Sequence, residues 1–448
     1  MHLYYHRLIE NVNLSCIPPR SSVIDLGCGT GQLLSLLAPS QGCGVDFSPA
    51  MIGVARKRLR GDVKLYCEPL ETFHCPQRFD YAVISNTLEY VNDVDSLLIK
   101  ASGLLNDGGR IIITSINPMW RPVLRLASAL HLRTPDVEKN FLTNRDVVNF
   151  LEGAGFEVVD EGVTGTLPLY IPFVIPFLNL VLSHLPFLRQ TGIVQYVVAR
   201  KRIPPRDYHC SIVVPCYNEA GNIKSIIREA PLLGLSTELI FVDDGSTDGT
   251  AAQVDAALRR DIAVRCVSYQ PNRGKMHAVT QGFQAAQGEI LFILDADISV
   301  HPEELRKCYR ILARGDAEFI NCTRTIYPME GKAMKLANYV GNKLFCLLVS
   351  WIIGQRVTDT LCGTKVMFKK HLAYFSQGHD PWGDYDFLFG AAKLRLKMRD
   401  VAVHYRERRY GSSKMSAFTH AFFLLKACFW GLQKMKFPLV SIRKAQFL

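Results

Sequence analysis

Short apolar runs alternate with amphipathic stretches over the first 115 residues. SVIDL (22–26), GCGVDF (42–47), DVKLYC (62–67), FDYAVIS (79–85) and RIIITS (110–115) are rich in β-branched and aromatic positions and predict strands. Between them, 31–38, 49–60 and 93–105 carry the spacing of helices that pack on a sheet. This alternation predicts an α/β fold, a doubly wound parallel sheet with helices on both faces. GFEVVDEGV (155–163) and GIVQYVVARKR (192–202) are expected to close that sheet as a final hairpin. The Pro pair and polar residues after Arg202 predict a linker over 203–208. A second α/β series then begins, with strands expected at SIVVPCYN (211–218), ELIFVDDG (238–245), AVRCVSY (263–269) and EILFILDAD (289–297). Two domains are therefore expected, 1–202 and 209–448.

Composition narrows the class. With 448 residues, 48% hydrophobic and 21% charged, the chain is neither disordered, collagenous nor a coiled coil. The net charge of +11 is unevenly placed: residues 1–201 hold 18 basic and 18 acidic side chains, whereas 390–448 hold 13 and 2. That end is expected to favour anionic surfaces. No aromatic-and-basic recognition module accompanies it, so nucleic acid is not an expected partner. Thirteen scattered cysteines without a CxxC pair suit reduced thiols in a cytoplasmic compartment. The first residues lack an apolar core of the kind a signal peptide needs.

Three apolar stretches raise the question of a membrane. Between Glu161 and Arg189 no residue is formally charged, but Pro168, Pro172, Pro176 and Pro186 interrupt the run. A spanning helix needs about 20 continuous apolar residues. LFCLLVSWIIGQ (344–355) is also too short. AFTHAFFLLKACFWGLQKMKF (417–437) mixes large apolar residues with Lys426, Lys434 and Lys436, a composition suited to a helix lying in the headgroup layer. No transmembrane helix is expected, and peripheral attachment to the cytoplasmic membrane face through C-terminal amphipathic helices is.

Two constellations carry chemistry. In the first, Asp25 ends a buried strand and Gly27, Gly29 and Gly31 follow at alternate positions before a helix. Glycines there allow a tight turn and a close approach of ligand to backbone. Asp46 ends the next strand, where a carboxylate can accept ribose hydroxyls. The Asp-x-GxGxG spacing resembles the class I S-adenosylmethionine-dependent methyltransferases, over about residues 1–201. That resemblance implies a Rossmann-like domain in which Asp25, Gly27, Gly29 and Gly31 hold the methionyl part of S-adenosylmethionine. It further implies Asp46 at the ribose, Phe47 and Met51 near adenosine, Leu70 and Glu71 at the adenine edge, and Asn86 at the fourth motif. SNTLEYV lacks the His that many relatives carry near Glu89, which leaves an acid/base role in methyl transfer unassigned.

In the second constellation Pro215-Cys216-Tyr217-Asn218-Glu219, Asp243-Asp244-Gly245-Ser246 and Asp295-Ala296-Asp297 each end an apolar strand, where open α/β sheets bind ligands. Two acids at i and i+2 can share Mg2+ or Mn2+ against a diphosphate. With NRGK (272–275), DTLCGTK (359–365), WGDYDF (382–387) and RRYGSSK (408–414), the set resembles family 2 glycosyltransferases of the GT-A fold. It is most similar to the branch of dolichyl-phosphate-mannose synthases and bacterial polyprenyl-phosphate sugar transferases. The resemblance implies a nucleotide-sugar donor held by Pro215, Tyr217, Asn218, Glu219, Asp243, Asp244 and Lys275, with Asp295, Ala296 and Asp297 at metal and diphosphate. Arg408 and Lys414 would grip phosphates, and His404 is a candidate third metal ligand. Two acceptor chemistries stay open. A sugar or lipid hydroxyl needs a base, for which Asp384 is the candidate and Asp386 the second. A polyprenyl phosphate needs only cationic positioning, by Arg324, Lys335 and Arg408.

The sequence thus points to a bifunctional enzyme of a surface-glycan or glycolipid pathway, joining inverting sugar transfer to methylation. The competing expectation is a glycosyltransferase whose first half only binds or scaffolds.

Overall fold

The computed structural model describes residues 2–59, 61, 63–131, 140–166, 190–257, 259–328, 336–375, 382–406 and 417–435. The apolar connection at 167–189 and the expected site residues Lys335, Arg408 and Lys414 lie outside them. The chain divides into two compact units, Met1–Ile203 and Pro204–Leu448.

In the first unit the apolar runs become β1 (Ser22–Leu26), β2 (Gln41–Asp46), β3 (Val63–Cys67), β4 (Phe79–Ser85), β5 (Leu105–Ile116), β6 (Phe156–Thr164) and β7 (Val194–Lys201). Among the described residues they form one sheet in the order β3-β2-β1-β4-β5-β7-β6. The central strands are near-continuously buried, as strands covered on both faces must be. The sheet is mixed, not wholly parallel, because β7 runs antiparallel to both β5 and β6. Helix starts follow local chemistry. Ser48 caps Pro49–Arg58 through Met51 N–H at 3.4 Å, and Asp93 caps Val94–Leu104 through Ser96 N–H at 3.0 Å. The parallel register aligns Asp25 with Gly44 and Val83, so the carboxyl ends of β1, β2 and β4 open at one edge.

The second unit contains β8 (His209–Cys216), β9 (Ser236–Asp244), β10 (Ala263–Tyr269), β11 (Ile290–Ile293), β12 (Phe319–Thr323), β13 (Lys365–Phe368) and β14 (Met398–Ala402). Their order is β10-β9-β8-β11-β13-β12-β14, again with one reversed strand, β13, antiparallel to β11 and β12. The core spans Val213, Ile240, Val242, Leu291 and Phe319 on the sheet and the helix Asp384–Lys393. Cys216 pairs with Asp243, and Asp244 with Tyr269, so the acids of β9 sit at the carboxyl edge. The apolar strand EILFIL ends at Ile293, and the two acids that follow stand in a turn. Among the described residues no helix is long and apolar enough to cross a membrane.

Candidate active sites

The glycine loop of the first unit is built around close approaches. Gly27, Gly29 and Gly31 all have positive φ, +91°, +52° and +70°. A Cβ on Gly27 would lie 2.2 Å from Thr87 Oγ1, and one on Gly31 2.7 Å from Leu59, whereas one on Gly29 would meet nothing within 4 Å. Two glycines therefore satisfy packing, and the middle one faces open space. Asp46 organises the loop: Oδ2 accepts the Gly29 N–H and Oδ1 the Ser48 N–H, both at 2.9 Å. Asp25 is only 2% exposed, and its Oδ1 has no hydrogen-bond partner. Burial, then the Asp46 charge, push its pKa up to about 7. Beside Asp46, Phe47 is 74% exposed and Met51 44%.

The remaining expected positions of this unit are more scattered. Backbone carbonyls of Leu70 and Glu71 accept from the Lys100 ammonium at 3.0 and 2.5 Å. Asn86 has φ +53° and accepts the Tyr5 hydroxyl at 2.5 Å. Tyr5 belongs to the helix His2–Cys16, whose Glu10 also accepts from Gln32 at 2.5 Å. Nothing in the weakly patterned first 16 residues marks that helix as a neighbour of the loop.

In the second unit, acids and cations converge in pairs. Lys275 opens the helix Lys275–Ala285, and its ammonium lies 2.5 Å from Asp295 Oδ1. Gly363 makes room for this pair: a Cβ there would fall 2.2 Å from Asp295 Oδ2 and 2.5 Å from Lys275 Nζ. Withdrawal from water works against both charges. Even so, Asp295, then Asp384 and Asp297, hold the Lys275 pKa above its ordinary value. Lys275, with Lys365 and Arg324 behind it, holds Asp295 below its own. Asp297 accepts the Ser299 N–H at 3.0 Å, and the intervening turn places the β-branched Ile298 at φ +54°, a strained conformation.

Asp384 is the first residue of its helix, after Gly383 at φ +82°. Its Oδ1 accepts from the fully buried Lys365 at 2.7 Å, and Lys365 also donates to the Cys362 carbonyl at 2.6 Å. Asp386, one turn position further, is buried. Arg324 is committed to Asp359 by two parallel hydrogen bonds of 2.8 and 2.9 Å, and Asn342 donates to the same carboxylate at 2.8 Å. Burial opposes the charge of Asp359, but Arg324 holds its pKa at about 2. Arg324 is thus an ion-pair partner of Asp359, with its side chain 13% exposed. His404 bonds Glu304 at 2.9 Å and stacks on Tyr327 at 4.4 Å. Among the described residues no three His, Cys, Asp or Glu side chains are gathered for a metal, so His404 does not complete a ligand set with Asp295 and Asp297.

The nucleoside-facing expectations fall on one continuous loop network. Asn218, at φ +57°, donates its N–H to Ser246 at 2.9 Å and accepts the Thr247 N–H at 2.9 Å. Glu219 donates its N–H to Thr250 at 3.0 Å and accepts from Asn222 at 2.7 Å. Asp243 accepts the Ser246 N–H at 3.0 Å, and Asp244 accepts the N–H groups of Arg273 and Gly274 at 2.7 and 2.8 Å. Pro215 lies within β8, Tyr217 is exposed just beyond it, and Ala296 is buried. Lys365, Asp359 and Gly363 stand in DTLCGTK, yet Lys365 pairs with Asp384, Asp359 with Arg324, and Gly363 lies against Asp295 and Lys275, residues 19 to 88 positions away that only the fold brings together.

Comparison with known proteins agrees unit by unit. Residues 2–161 match the family model of a methyltransferase domain, and residues 211–374 that of glycosyl transferase family 2. Among curated proteins, undecaprenyl-phosphate 4-deoxy-4-formamido-L-arabinose transferases of Salmonella paratyphi B and Salmonella newport are each 26% identical over 211 residues, 46% of this chain. The aligned region spans 62% of the length of these relatives. Among solved structures, a methyltransferase of Thermotoga maritima, described as a possible histamine N-methyltransferase, is 21% identical with a TM-score of 0.33. It covers 44% of this chain and 90% of its own. An S-adenosylmethionine-dependent methyltransferase of Mesorhizobium loti is 22% identical with a TM-score of 0.33, covering 43% and 96%. The chain joins a methyltransferase domain to a family 2 glycosyl transferase domain.

Proposed function

We propose that the second unit transfers a sugar, with inversion, from a nucleotide-sugar to a polyprenyl phosphate, and that the first unit methylates an acceptor of the same glycan or glycolipid pathway. The observation that carries the first part is the convergence of Asp295, Asp297, Asp384, Lys275 and Lys365 at the carboxyl edge of the sheet. Two carboxylate arms one residue apart suit Mg2+ or Mn2+, which take their remaining ligands from water and diphosphate. Asp295 and Asp297 would hold that ion, and it would neutralise charge growing on the leaving diphosphate. Lys275 adds a second cation beside the same oxygens.

A hydroxyl acceptor needs a base, and Asp384, whose Oδ1 accepts from Lys365 at 2.7 Å, is the candidate carboxylate for it, since one bonded oxygen leaves the other to take a proton. A phosphate acceptor is an anionic nucleophile and asks for no base. The Salmonella relatives, which are named as undecaprenyl-phosphate transferases, support the phosphate. The acceptor also suits a membrane surface. Val340, Leu344 and Leu347 on the helix Leu336–Ile353, and Phe422, Leu425 and Phe429 on the helix Ala417–Met435, are exposed apolar side chains on two packed helices.

For the first unit, the chain's own residues fit S-adenosylmethionine. Asp25 offers an unmatched buried oxygen, Gly29 opens onto free space, and Phe47 and Met51 expose apolar surface beside Asp46. Asp25 would attract the cationic end of the cofactor and Asp46 would accept from its ribose, while the sulfonium supplies the methyl group. A panel of nucleotide-sugars with Mg2+ or Mn2+, with and without undecaprenyl phosphate or glycan acceptors, tests the transfer. Product only with a hydroxyl acceptor would overturn the lipid-phosphate assignment. Absence of S-adenosylmethionine binding in calorimetry would leave the first unit as a scaffold.

A further inference from the structure

Lys275 stands where a cation is wanted, and the packing is shaped around it. We infer that Lys275 is the resident counter-cation of Asp295: it competes with a divalent ion for that carboxylate, and it moves to the donor's diphosphate once metal and donor arrive. The inference rests on the metal-dependent sugar-transfer reading above.

Three observations carry it. The ammonium touches Asp295 Oδ1 at 2.5 Å, on one of the two acids expected to hold metal. Gly363 leaves space for this contact, since any side chain there would strike both partners, Asp295 Oδ2 at 2.2 Å and Lys275 Nζ at 2.5 Å. Lys275 also lies in the field of Asp384 and Asp297, so its charge serves the whole acidic group. Lys365 does not substitute, because it is fully buried and bonded to Asp384 and the Cys362 carbonyl.

The exchange has a simple electrostatic logic. An ammonium is a compact charge on a flexible stem, able to move between neighbouring anions. A divalent ion arriving alone must displace Lys275 from Asp295 and leave the ammonium without an equivalent partner. When it arrives with a diphosphate, the displaced ammonium finds phosphate oxygens. Metal and donor therefore bind with positive coupling, and that coupling is reciprocal. The site resists loading by metal alone, which favours entry of the metal–donor pair.

The test is Mn2+ titration of the full chain, followed by the electron paramagnetic resonance of the free ion, without nucleotide and with UDP or GDP. Lys275→Met removes the competitor, and nucleotide-free Mn2+ affinity is expected to rise about tenfold, with Asp295→Asn reversing the gain. Lys275→Arg keeps the charge and is expected to stay within about twofold of the natural protein. It gives an independent reading if the methionine variant unfolds. Mn2+ binding by the natural protein with UDP or GDP, but no tighter nucleotide-free binding by Lys275→Met, overturns the inference and spares the metal reading. A tenfold gain in Lys275→Arg also overturns it. No Mn2+ bound by any form under either condition overturns both.

Discussion

The two sites treat negative charge in opposite ways. In the first unit Asp25 is buried with an unmatched oxygen, a second acid lies near, and its pKa is pushed to about 7. In the second, Asp295, Asp384 and Asp359 each have a cation within 2.9 Å: Lys275, Lys365 and Arg324. An uncompensated buried carboxylate is costly, and it becomes favourable only when a ligand brings positive charge. Carboxylates with their own cations form a site that can receive further anions without reversing its charge. The difference supports the proposed ligands, a cationic one for the first site and a polyanionic one for the second.

The strongest way to break this comparison is to remove one acid from the paired site. Asp297→Ala is expected to lower sugar transfer about 10²–10³-fold, the scale of losing a principal electrostatic element. S-adenosylmethionine affinity should change less than about twofold, because Asp297 and the glycine loop belong to separate compact units. Loss of both activities in a folded protein would contradict two independent sites. Next in size is Arg324→Ala, which leaves Asp359 wholly buried without its guanidinium. A loss of about 3–5 kcal/mol in the second unit's unfolding free energy is expected in urea titration. The pH dependence has the same origin. With Asp359 at about 2, below the ordinary ~3.9, its contribution is complete above pH ~4 and disappears as the pH falls toward 2. Unchanged urea stability in Arg324→Ala would mean the pair is not structural.

Much of this contrast was legible in the sequence and some was not. The glycine spacing after Asp25 and the acids of 295–297 are local signals, fixed by strand ends and turns. SVIDL and FDYAVIS became β1 and β4 residue for residue, since buried parallel strands leave an unbroken apolar run. By contrast β12, β13 and β14 are only four or five residues long and are separated in sequence by the helices Leu336–Ile353 and Asp384–Lys393, so each offers too short an apolar run to stand out. Nor could the pairing of Lys365 with Asp384 or of Arg324 with Asp359 be foreseen, because a charge in sequence does not name its partner. The same holds for His404, a metal ligand by residue type, whose contacts with Glu304 and Tyr327 come from distant parts of the chain.

Sharpening the comparison on the unpaired side calls for Asp25. Asp25→Asn is expected to weaken S-adenosylmethionine binding about 100-fold, as an attraction to its cationic end is lost. The same change should stabilise the ligand-free unit by up to about 4 kcal/mol at pH 8, because a buried carboxylate no longer has to ionise. The sign follows from a raised folded pKa. Relative to an unfolded ~3.9, the folded unit gains from protonated Asp25 at low pH and loses that advantage progressively up to about 7. The stabilisation by Asp25→Asn should therefore vanish near pH 4. In the natural protein, cofactor affinity should fall up to about tenfold per unit below pH 7, since binding needs the carboxylate. A pH-independent affinity in calorimetry between pH 5 and 8 would separate Asp25 from the cofactor.

The smallest expected effects concern the anionic surface, and they ask whether the second unit's excess of cations extends beyond its cleft. Two kinds of residue line the exposed side of its long helices. Leu347 and Phe429 are apolar and 71% and 61% exposed, whereas Lys426 is an exposed cation on the helix Ala417–Met435. Burial of apolar area is indifferent to salt, and attraction to an anionic leaflet is not. Cosedimentation with phosphatidylglycerol vesicles at 0.1 and 0.5 M salt, conditions on either side of a short screening length, therefore separates the two contributions. The pair Leu347→Asp with Phe429→Asp should reduce bound protein about fivefold at both salt concentrations. Lys426→Glu should reduce it about twofold at the lower concentration and scarcely at the higher. Salt-independent binding, with no loss from Lys426→Glu at either concentration, would make the contact purely apolar. Then the positive charge of the second unit would be confined to holding its own acids and its diphosphate.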